Sequence, residues 1–117
     1  MESNRTPLFM NEMVLQAHGT AKEKGWHDPG MEKTVGDDIA LMHSELSEAL
    51  EDFRAGHKPN EIYLEGAKPC GIPIELADVI IRIGDFCGKH GIDLDEAVTQ
   101  KLQYNKSRPH RHGGKVL

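Results

Sequence analysis

Aromatic residues make up only 5% of the 117-residue chain: one Trp, two Tyr and three Phe. The core must therefore be built from Leu, Ile, Val, Ala and Met, and it will be modest. Cysteine is scarcer still. Cys70 and Cys87 stand far apart without a CxxC partner, so they signal neither a zinc ribbon nor a disulfide scaffold and read as reduced thiols. No apolar run approaches the ~20 residues that span a bilayer. The opening Met-Glu-Ser-Asn-Arg-Thr-Pro also lacks the apolar segment of a signal peptide, so a cytoplasmic protein with no membrane partner is expected. Positive charge is in deficit as well. Lys and Arg total 14 against 19 Asp and Glu, a formal net charge of −5, which argues against a stable nucleic-acid partner held by phosphate neutralisation. The length suits a single domain over 1–117, with a basic tail at 107–117.

What is present is helical periodicity. Leu8, Met10, Met13, Val14 and Ala17 recur at helical spacing between residues 7 and 24, with Gly25 as terminator. From Thr34 to Arg54, the positions Ile39, Met42, Leu46, Ala49, Leu50 and Phe53 step by three and four, the seam of a helix packed on other helices. Gly56, Pro59, Gly66, Pro69, Gly71 and Pro73 then punctuate a loop, with a short extended piece at Ile62 to Leu64. Residues from Ile74 to His90 are rich in β-branched side chains, but the length of the run favours a buried helix closed by Gly91. Asp93 can cap a fourth helix reaching Lys106, and Pro109 bars its continuation. The expected class is all-α, four helices with one long loop.

Two of these helices carry paired acids. Glu45-Leu-Ser-Glu48 and Glu75-Leu-Ala-Asp78 each place two carboxylates one turn apart on one helix face. On antiparallel helices the four could converge on a volume suited to Mg²⁺, a hard cation that takes oxygen ligands. A carboxylate pair alone is usually solvated surface. Here, however, Asp38, Glu45, Glu48 and Asp52 share one stripe, and Glu75, Asp78, Arg82 and Asp85 share another on an otherwise apolar helix. Keeping acids ionised on a buried helix requires a counter-charge, supplied by a divalent cation or by Arg82 beside Asp78 or Asp85. No acid follows Glu96, whereas Lys101, Lys106, Arg108, Arg111 and Lys115 do. An acidic pocket beside basic groups fits a polyphosphate–metal complex, although such a tail can equally be solvated.

Taken together, Glu45-x-x-Glu48, Glu75-x-x-Asp78 and the run Lys101-Leu-Gln-Tyr104-Asn105-Lys-Ser-Arg108-Pro109 resemble the MazG-like members of the all-α nucleoside triphosphate pyrophosphohydrolase superfamily. Residues 68–85 look similar to that family's third-helix region, and the resemblance spans residues 26 to 115. One departure is Ser44, where family members often carry a further glutamate. The resemblance implies hydrolysis of (d)NTP to (d)NMP and diphosphate, in nucleotide-pool control or house-cleaning. It implies Mg²⁺, with Mn²⁺ able to substitute, on Glu45, Glu48, Glu75 and Asp78. Glu48 is the first candidate for general base and Glu45 the second. Lys101, Asn105 and Arg108 would contact the triphosphate or sugar, with Lys115 in the same substrate-binding group. Trp26 with His27, just before the second helix, looks similar to an aromatic position set against the base, the alternative being a core tryptophan. The resemblance further implies a four-helix bundle completed by oligomerisation, as a homodimer or homotetramer.

Two other readings stand beside this one. A carboxylate-bridged di-metal bundle normally adds a Glu-x-x-His step, which the chain lacks. A non-enzymatic helical oligomeric binding module would use the acidic faces and basic tail for partner recognition. His110-Arg-His112 is read as solvated.

Overall fold

The computed structural model describes residues 9–109, so Leu8, His110, Arg111, His112 and Lys115 lie outside the described residues. Helix α1 spans Met10–Glu23, α2 Val35–Arg54, α3 Ile72–His90 and α4 Leu94–Ser107. Local chemistry sets their ends. At α2, the Thr34 hydroxyl accepts from the Asp37 N–H while the Asp37 carboxylate accepts from the Thr34 N–H, a reciprocal cap. Helix α3 begins at Ile72, earlier than the expected Ile74. Pro73 is tolerated in a first turn, where its missing N–H has no intrahelical partner to lose. It ends at Gly91, whose φ of 64° is the left-handed cap that a side chain disfavours. Helix α4 starts where Asp93 accepts from the Glu96 N–H.

The extended piece expected at Ile62 to Leu64 is present one residue later as the first strand of an antiparallel hairpin, whose second strand falls in what was expected to be loop, so the all-α expectation becomes a mostly helical fold of four helices and two short strands. Strand β1 is Tyr63–Glu65 and β2 is Lys68–Cys70, paired Tyr63 to Cys70 and Glu65 to Lys68. Gly66-Ala67 makes the two-residue turn, and Pro69 is acceptable because a two-stranded ribbon consists only of edges. The Tyr63 hydroxyl donates to Asp52 at 3.0 Å, and the His57 ring stacks on Tyr63 at 4.2 Å. These contacts fasten the hairpin to the end of α2.

Helix α3 is central, packed against α1 and α2. Two glycines one turn apart bring α1 close. A Cβ at Gly84 would meet the Met13 sulfur at 2.7 Å, and one at Gly88 would meet the His18 Cβ at 2.5 Å. The core is thin: Val14, Ala17, Ala49, Cys70 and Cys87 are the buried apolar residues among those described. Much of the seam expected to pack α2 faces outward instead, with Leu46 47% and Phe53 62% exposed. The Cα radius of gyration is 17.2 Å, against roughly 13 Å for a compact chain of this length.

Helix α4 meets the rest of the fold at its N-terminus. Asp95 accepts the Met10 N–H at 2.8 Å, and Asn11 Oδ1 accepts the N–H groups of Leu94 and Asp95. The starts of α1 and α4 thus cap one another.

Candidate functional site

Helices α2 and α3 bring three of the four expected carboxylates together. Glu45, Glu75 and Asp78 each offer an oxygen within 4.8 Å of the other two. Glu48, one turn from Glu45, is exposed and outside this closest group. Its charge is nevertheless felt at Glu75. Burial holds Glu75 above the ordinary carboxylate range, and the charges of Asp78, Glu45, Glu48 and Asp52 push it further. Asp78 is raised by burial and by Glu45, with Arg82 and Lys68 opposing. Crowded carboxylates that resist ionisation gain from a cation, and an all-oxygen donor set fits a hard one such as Mg²⁺.

The remaining acids of the two stripes have separate tasks. Asp38 is paired with Lys89 at 3.3 Å, a contact that joins the start of α2 to the end of α3. Asp52 accepts from Tyr63. Asp85 contacts His18 and His27. Arg82, expected to neutralise Asp78 or Asp85, does oppose the rise at Asp78 through its charge, while its Nε donates to Glu45 Oε1 at 3.0 Å. The stripes therefore do not converge as a whole, because periodicity identifies a shared face and leaves the partner of each residue open.

Beside the carboxylates runs a groove of about 730 Å³ between α1, α2 and α3. Glu45, Asp78 and Arg82 line one part of it, and Trp26 and Lys33 another. Trp26 is 54% exposed and so is not a core residue. Lys33 Nζ stands 5.6 Å from its ring centroid. Lys33 had no distinguishing sequence signal, since a single Lys before a helix is ordinary.

Lys101, Asn105 and Arg108 are absent from the groove lining. Arg108 is not on helix α4 but caps it in an extended conformation, and Lys101 and Arg108 flank the Tyr104 ring at 5.0 and 5.6 Å. His18, which carries no distinguishing sequence signal beyond being one of seven histidines in a short chain, and His27, noted only as the neighbour of Trp26, lie at hydrogen-bond distance from Asp85. No helix among the described residues is long and apolar enough to cross a membrane. No protein-family model, curated protein or solved structure matches the chain.

Proposed function

We propose that the chain is a Mg²⁺-dependent nucleoside triphosphate pyrophosphohydrolase that converts (d)NTP and water to (d)NMP and diphosphate. One observation carries the reading: Glu45, Glu75 and Asp78 converge, and two of them, Glu45 and Asp78, line a groove that also contains a half-exposed tryptophan with a lysine over its ring. Mg²⁺ bound there would supply charge neutralisation at the phosphoryl oxygens and acidify a water. Glu45, Glu75 and Asp78 would hold it. Glu48 makes no hydrogen bond or ion pair among the described residues, which leaves it to accept the proton of the attacking water. Glu45, engaged by Arg82, is the second candidate. Trp26 offers a flat apolar face to a base, and Lys33 adds a positive charge beside it.

Lys101, Asn105 and Arg108 do not reach this groove within one chain, so their role in triphosphate binding requires α4 of a second copy. The exposed apolar residues of α2 and α3, Ile39, Leu46, Leu50, Phe53, Leu76 and Ile80, support a homodimer or homotetramer. The same surface favours a second reading, a non-enzymatic helical module that binds partners through it. Turnover separates the two. With Mg²⁺ present, a panel of ribo- and deoxyribonucleoside triphosphates is expected to give nucleoside monophosphate and diphosphate. Release of orthophosphate with nucleoside diphosphate, or no turnover of any nucleotide, would overturn the proposal.

A further inference from the structure

A second cluster of donors lies about two turns further along the same face of α3. His18 comes from α1, His27 from the α1–α2 connection and Asp85 from α3, so three separate elements meet at one point. His18 Nδ1 lies 2.8 Å and His27 Nε2 2.7 Å from the same oxygen, Asp85 Oδ1. The imidazoles stand edge to face, 4.9 Å between centroids. All three side chains are largely withdrawn from water, 21% exposed for each histidine and 25% for the aspartate. Asp85 also lines the groove, so one side of the cluster opens to solvent. The place is built: only a glycine at 88 leaves room for His18 against α3.

We propose that His18, His27 and Asp85 form a second cation site, selective for a divalent transition ion of the Co²⁺ and Zn²⁺ class. Adjacent donors around a six-coordinate ion with bonds of ~2.1 Å are separated by about 3.0 Å, close to the nitrogen–oxygen spacings here. Two imidazoles and one carboxylate favour a borderline ion over Mg²⁺, which prefers oxygen alone. Three protein ligands leave the remaining positions to water on the groove side. This ion would not be a partner to one on Glu45, Glu75 and Asp78. Asp78 and Asp85 are seven residues apart on α3, about 10 Å along the axis, whereas paired catalytic ions sit ~3.5–4 Å apart. The second ion would therefore be separate from one held by the carboxylates, although both sites border the same groove.

Calorimetric titration of the metal-free full chain with Co²⁺, in excess Mg²⁺ to saturate the oxygen-rich cluster, tests the proposal. One Mg²⁺-insensitive Co²⁺ per chain is expected, with the visible absorption of nitrogen-ligated Co²⁺. Fluorescence of the single tryptophan, Trp26, which adjoins His27, should be quenched in step. His27→Ala and the near-isosteric Asp85→Asn should each weaken this uptake by roughly tenfold or more, with circular dichroism reporting that each variant is folded. The double replacement Glu75→Gln, Asp78→Asn should leave it intact, as should replacement of both His110 and His112. Uptake that is absent in the native chain, survives in both His27→Ala and Asp85→Asn, or disappears with Glu75 and Asp78 or with His110 and His112 would overturn the proposal.

Discussion

Glu75 and Asp78 bind their protons more tightly in the folded chain than ordinary carboxyls do, because burial and neighbouring acids oppose ionisation. The stability such groups confer is fully present below the usual carboxylate range near pH ~4 and is lost as pH rises through the raised values. The metal-free protein should therefore become less stable as pH climbs from about 4 toward neutrality, and Mg²⁺ should restore what is lost. Denaturation midpoints measured across pH, with and without Mg²⁺, check this; a flat metal-free profile would contradict it. Asp78→Asn removes one of the crowded charges, so at pH 7 it should raise the midpoint of the metal-free protein. The same change should lower turnover by roughly 100-fold or more, because a cation ligand is lost. Asp93 has the opposite sign: the Asn11 amide and the Glu96 N–H hold it below its usual range. Its contribution is present above the ordinary carboxylate range and fades in acid.

At the scale of elements, the contact between α1 and α3 depends on the absence of two side chains. Gly88→Ala would drive a methyl group into His18 and should destabilise the fold by roughly 1–3 kcal/mol. Urea denaturation measures it, and an unchanged midpoint would mean that the helices part at little cost. This packing also marks where sequence reading stopped. Helix ends were legible because Thr34, Asp93 and Gly91 act on neighbours a few residues away. The carboxylate pairs were legible because a helix converts spacing of three into adjacency. The extended piece at Ile62 to Leu64 was legible as β1, but its pairing partner was not, since β2 has only three residues and contains a proline. The histidine cluster was also hidden: its members are 67 and 58 positions from Asp85, and only the close approach of α1 brings His18 there.

Across the whole molecule, the thin core and the outward-facing seam of α2 leave apolar surface on which the proposed association would occur. Light scattering at micromolar concentration should give a dimer or tetramer, and a monomer would contradict the proposed assembly. Leu46→Glu with Phe53→Glu places two charges on that surface and should lower the measured mass. Helix α4 is held differently, by the polar exchange in which Asp95 serves the start of α1 and Asn11 the start of α4. Neither helix start can fray while keeping the hydrogen bonds of the other, so the two should exchange amide hydrogens as a single cooperative unit. Asp95→Ala should then speed deuterium uptake near Met10 and Leu94 together, and the peptide of α4 would report on an opening that begins almost a full chain length away.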